Sequence, residues 1–132
     1  MLMLSDVREW LKSLDPELVE KISVGSIDGN AEKYIGVYAD ESGGTARLCL
    51  GGQEQTRMQS KQVKLLVHWT NSPVQAEQKA ASLWQLLLGT SGQFGAYQIK
   101  TVDPGAAPIS VGRDEKGICE YIIRLKIIYE RI

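Results

Sequence analysis

The chain has 132 residues, with 15 basic and 16 acidic side chains, a net charge of −1, and an apolar share of 43%. That length fits one domain spanning residues 1–132, and that apolar share supports a packed core, which excludes wholesale disorder. Near-zero net charge argues against a protein that works by neutralising phosphates, and no apolar run reaches the ~18 residues of a membrane span.

Residues 6–14 have the spacing of a short helix. Val7, Trp10, Leu11 and Leu14 fall at i, i+3, i+4 and i+7, one face of a 3.6-residue period. Asp6 is placed to cap it, with Glu9 three positions on. Trp10 reads as a core anchor. From Lys21 to Leu50 the period changes to two. Ile22 and Val24 alternate with polar neighbours. Lys33–Tyr38 puts Ile35 and Val37 on one side and Tyr34 and Tyr38 on the other, and Arg47–Leu50 makes a short third strand. Asp28-Gly29-Asn30 and Ser42-Gly43-Gly44 supply turns, so a meander or two hairpins is expected here.

Gly51–Gln59 (GGQEQTRMQ) is polar, opens with two glycines and has no apolar period. It is a flexible tip, or a loop that orders against a partner, with Gly51, Gly52, Glu54 and Arg57 as its contact candidates. Lys61–Thr70 is a strand with Val63, Leu65, Val67 and Trp69 inward and His68 outward. Ser72-Pro73-Val74-Gln75 states a helix start, with an N-cap, proline at the first turn and a capping-box partner. That main helix runs over about 72–88, burying Ala76, Ala80, Leu83, Trp84 and Leu87, and Gly89 ends it.

Tyr97–Asp103 and Ile109–Arg113 read as strands. Asp114-Glu115-Lys116-Gly117 is a hairpin turn with Gly117 placed for positive φ. The strand 118–130 has one wholly apolar or aromatic face: Cys119, Tyr121, Ile123, Leu125, Ile127 and Tyr129. On its other face Ile118, Ile122 and Ile128 interrupt Glu120, Arg124, Lys126 and Glu130. A solvent face is mostly polar, so three isoleucines call for partial cover, by the N-terminal helix or by another subunit. The strand also exceeds the usual five or six residues. The whole reads as α+β: a single, mostly antiparallel sheet with the main helix and a short N-terminal helix packed against it.

The search for chemistry returns little. His68 is the one histidine and has no second histidine, paired cysteine or carboxylate cluster beside it in sequence. Cys49 and Cys119 fall in strands, as small buried hydrophobes do, and lack metal spacing. Gly89, Gly92 and Gly95 follow a helix and precede a strand, the wrong polarity for a phosphate loop. Asp103 and Asp114 could approach across a hairpin. The reading is of no enzyme, with no catalytic, cofactor-binding or metal-ligating residues assigned and no cofactor.

Two passages carry a resemblance: VKLLVHWTNSPVQAEQKAASLWQLLLG (63–89) and PISVGRDEKGICEYIIRLKIIYER (108–131). The first is a strand, a polar turn and a helix closing on Leu-Leu-Gly. The second is a Gly-Arg-Asp-Glu-Lys-Gly turn with a long terminal strand. Together with the short opening helix they resemble the minor capsid and tail-terminator (tail-completion) proteins of tailed bacteriophages. The likeness covers about half the chain. The first 60 residues match only in order of elements, and His68-Trp69 stands where many relatives have an arginine. The resemblance implies a ring, commonly a hexamer of the chain with itself, at the head-proximal end of the tail tube. The ring ends tube polymerisation and joins tail to head. The implied partners are the tail-tube and head-connector proteins, with no membrane and no sequence-specific nucleic acid. The implied location is the virion tail or neck, and the host cytoplasm during assembly. On this reading Ile122, Arg124, Lys126 and Ile128 are the subunit-contact candidates. The alternatives are another head–tail neck protein, or a small ligand-binding α+β domain that uses its sheet face.

Overall fold

The computed structural model describes residues 2–28, 30–40, 58–103 and 105–132. In chain order they form α1 (Leu4–Leu14), a 3-10 turn (Pro16–Leu18), β1 (Ile22–Val24), β2 (Lys33–Ala39) and β3 (Met58–Trp69). There follow α2 (Pro73–Leu87), β4 (Gly92–Phe94), β5 (Tyr97–Asp103), β6 (Ile109–Arg113) and β7 (Cys119–Arg131). The strands make one sheet in the order β1-β2-β3-β7-β5-β4. The edge of β7 away from β3 is shared: β6 pairs along Cys119–Ile122 and β5 along Lys126–Arg131. The molecule is α+β, as its sequence implies.

The central pairing is β3 with β7, antiparallel from Met58↔Glu130 to His68↔Glu120. Opposed residues share a face, so the apolar parity of each strand lands on the same side. Val63, Leu65 and Val67 meet Leu125, Ile123 and Tyr121, and β2 adds Ile35 and Val37. Both helices lie on this side. Val7, Trp10 and Leu11 of α1 and Ala76, Leu83 and Leu87 of α2 join the strand residues in one buried cluster. Lys79 holds the helical layer together: its Nζ is 2.7 Å from Asp15 Oδ2, 3.1 Å from Glu17 Oε1 and 4.7 Å from the Trp69 ring centroid. An ammonium so placed gains from ion pairing and from the ring face at once.

Several local expectations change. β1 and β2 are parallel, with Ile22↔Ile35 and Val24↔Val37, where a meander or hairpins are expected from the turn residues 28–30. Those residues belong to a connection that passes over the sheet instead of reversing beside it. The helix α1 starts two residues before Asp6. Asp6 sits inside the first turn and accepts the Met3 N–H at 2.9 Å, so it caps from position N3. Ser72 accepts from Gln75 as expected of an N-cap. Part of the expected 90–95 loop is the short strand β4. The expected strand 47–50 and residues 51–57 lie outside the described residues, and Met58 and Gln59 belong to β3.

One polar group sits inside the core. The Tyr129 hydroxyl accepts the Leu2 N–H at 3.0 Å and donates to Gln59 Oε1 at 2.9 Å, tying the N-terminus to β3 and β7. The side chain is 2% exposed. Tyr129→Phe leaves two partners unsatisfied and is expected to cost about 1–2 kcal/mol in urea unfolding. An unchanged midpoint would show that this network contributes nothing.

Candidate functional site

The sheet face opposite the helices divides into two halves. The rows across it follow from the register. Tyr34, His68 and Glu120 stand in one row, Gly36, Leu66, Ile122 and Ile109 in the next, then Tyr38, Lys64 and Arg124. Gln62, Lys126 and Asp103 come after them, and Ser60, Ile128 and Thr101 follow.

The His68 half is covered. Ile27 and Ala31, from the segment before β2, lie over it, and the β6–β7 hairpin folds beside it. A Cβ at Gly36 would lie 2.8 Å from Ile27 Cγ2 and 2.6 Å from Tyr38 Cε2, so the absent side chain makes room for the crossing. His68 is fully buried. Its Nδ1 lies 3.0 Å from Glu120 Oε2. Its Nε2 lies 3.1 Å from the Ala31 carbonyl and 3.7 Å from Asp114 Oδ2. Both ring nitrogens face acceptors, so both contacts are hydrogen bonds only when the ring carries two protons. Lys116 Nζ donates to Asn30 Oδ1 at 2.7 Å across the same seam. The partners of the imidazole come from the segment before β2 and from the β6–β7 hairpin. This is a buried pin that holds two chain segments over the sheet. Sequence places His68 on the outer face correctly but cannot show its cover, which comes from segments 37 and 52 residues away.

The other half carries the four contact candidates. Ile122, Lys126 and Ile128 are half-buried and Arg124 is exposed. Of the two covers expected for this face, the N-terminal helix is excluded: α1 packs on the opposite side, against β1 and β2. Among the described residues no helix or strand lies over this half. Lys64 and Arg124 are directly opposed like charges, an arrangement that costs energy in a sheet. Asp40 stands 4.0 Å from Arg124, and Asp103 is opposite Lys126. A groove of about 290 Å³ runs beside them, with Asp40, Gln62, Asp103, Ala106, Ile122 and Arg124 in its wall. A second, of about 210 Å³, is bounded by Met58, Ser60, Lys126 and Ile128. The surface alternates apolar and charged groups and is shallow.

Asp103 and Asp114 are not brought together. The first belongs to the row of Lys126 and the second to the row of Glu120, six residues apart on β7, which is about 20 Å. Cys119 is a buried free thiol. Among the described residues no three His, Cys, Asp or Glu side chains group as metal ligands, and no helix is long and apolar enough to cross a membrane. Gly51, Gly52, Glu54 and Arg57 lie outside the described residues.

No family model and no curated protein matches the chain. Among solved structures, one of 17% identity covers 97% of this chain and 89% of its own length at a TM-score of 0.47. It bears no functional name, and a likeness at that level carries no argument here.

Asp114 supplies a pH test of the pinned half. Its carboxylate is held below the ordinary aspartate value of 3.8, first by the Ile118 backbone N–H, then by that of Lys116 and the charges of His68 and Lys116, against some desolvation. A depressed folded-state pKa stabilises the fold above the unfolded value and loses that contribution as pH falls through the folded one. Asp114→Ala is therefore expected to be less stable than wild type at pH 7, with the gap closing below pH 3.8. Urea midpoints measured from pH 7 to pH 2.5 check this, and a gap that stays constant with pH would contradict it.

Proposed function

We propose that this chain is a virion assembly protein of the phage tail-terminator kind. It forms a ring through self-contact, stops growth of the tail tube and presents a surface to the head connector. It performs no reaction, and its partners are further copies of itself, the tail-tube protein and the connector protein. It acts in the virion tail or neck, having assembled in the host cytoplasm.

The observation that carries the proposal is the half-open sheet face. Ile122 and Ile128 stand there, half-buried, beside Arg124, Lys64 and Lys126, while the helices occupy the other side. Among the described residues no helix or strand covers these isoleucines, and Lys64 and Arg124 stand directly opposed. A subunit contact uses both, because apolar area is removed from water and charges find partners across the interface. The shallow, mixed surface also fits a protein partner better than an enclosed small molecule, which deep, largely apolar pockets favour.

The test is substitution. Ile122→Asp combined with Ile128→Asp is expected to give a folded monomer where wild type assembles, read by light scattering and circular dichroism. Arg124→Glu changes a side chain that is 57% exposed, outside the core, and is expected to weaken assembly in the same direction. Unfolding of the double variant together with normal assembly of Arg124→Glu would assign this face to the core and overturn the proposal.

A further inference from the structure

The exposed side of α2 is unusual for a helix that faces water. Val74, Gln78, Ala81, Gln85 and Leu88 recur at intervals of four and three residues, and all are exposed. Val74 is 64% and Leu88 51% exposed. Across the whole outward side of α2 the only ionisable group is Glu77, since Lys79 turns inward to Asp15, Glu17 and Trp69. A solvated helix face is ordinarily rich in charge, and loss of charge with retained apolar groups marks the centre of an interface. Ala81 and Ser82, midway along, leave the backbone open to close approach.

The position of α2 gives this face its meaning. The helix packs on β3 and β7, and the open patch of Lys64, Arg124, Lys126 and Ile128 is the reverse side of those same two strands. Among the described residues both surfaces are uncovered, and they lie on opposite sides of β3 and β7. They also differ in kind. One presents Lys64, Arg124 and Lys126 beside Asp40 and Asp103. The other presents Glu77 and the side-chain amides of Gln78 and Gln85, with no cation pointing outward.

Resting on the self-assembly reading above, we propose that the subunit contact is head to tail: the outward face of α2 in one copy sits on the open half of the β3–β7 face in the next. The joined surfaces restore the layering that each chain has internally, helix on sheet. The contact is heterologous, so each copy keeps one surface free for the next, and a ring forms where the rotation between copies closes. Glu77 meets the Lys64–Arg124 pair, and Val74 and Leu88 meet Ile122 and Ile128.

Cysteine placement tests it in the full-length chain carrying Cys49→Ser, which leaves buried Cys119 as the one native thiol. Ala81→Cys and Gln62→Cys are made separately and oxidised mildly, alone and mixed. The expected result is no cross-linked dimer from either alone, a dimer from the mixture, and a ladder of higher species from a chain carrying both. Dimers from Gln62→Cys alone would show open faces meeting each other, and dimers from Ala81→Cys alone would show helix meeting helix. Either outcome, or no product from the mixture, overturns the proposal. Ala81→Arg gives a second reading without thiols: it is expected to lower the assembled mass at least tenfold in concentration dependence and to leave the unfolding midpoint unchanged. If wild type and Ala81→Arg assemble alike, the α2 contact is wrong while self-assembly stands. If wild type itself never assembles, both readings fall.

Discussion

The antiparallel pairing of β3 with β7 is the constraint on which the rest of this structure depends. Side chains along a strand alternate with a period of two, so the register of this one pair decides which residues are core and which are surface. With Leu65 opposite Ile123 and Val63 opposite Leu125, the aliphatic groups of that parity are buried under the helices and Tyr121 is partly buried beside them. The same register lines up Lys64 with Arg124 and Leu66 with Ile122 on the reverse. A slip of one residue would exchange the two sets and expose the core. The mixed character of the open face is thus a consequence of a pairing fixed by the other side. The sequence retains isoleucine at 122 and 128 on a face where the core does not require it.

The reverse face is finished in two different ways. At one end a crossing connection and a hairpin close over it, made possible by Gly36 and fixed by His68 and its acceptors. Those contacts use buried hydrogen bonds to charged groups, which are strong when satisfied and costly when broken. At the other end no described helix or strand closes over the strands, and the polar groups are shared between Arg124, Asp40, Lys126 and Asp103. One sheet therefore carries a sealed half that belongs to folding and an open half that fits association. His68 ties the sealed half together through Glu120 and the Ala31 carbonyl.

Much of this was legible from the residues. The strand 119–131 announces itself by six alternating apolar positions, and α2 by Ser72, Pro73 and Gly89, because caps and period are local signals. The outward placement of Ile122, Arg124, Lys126 and Ile128 follows from parity. What stayed hidden depends on distant segments. Asp28 and Asn30 are turn formers wherever they occur, and only the tertiary path makes them part of a crossover between parallel strands. The placement of β5 and β6 end to end on one edge of β7 requires knowing that β7 is twice the length of either. The sealed half had one signal in the sequence, the glycine at 36 inside an otherwise β-branched and aromatic strand, which marks a close approach by another segment. The uncharged stripe of α2 was likewise present in the sequence, but its exposure is visible only once the core face of the helix is known.

The central claim is that the open half of the sheet is a contact between copies of this chain. The most direct measurement is the molar mass of the wild-type protein by light scattering over a concentration series. The account predicts a mass that rises from that of the 14.6 kDa chain to a fixed ceiling, as a closed ring requires, and the resemblance to tail terminators sets that ceiling near six chains. A mass that stays at one chain at every concentration would contradict it.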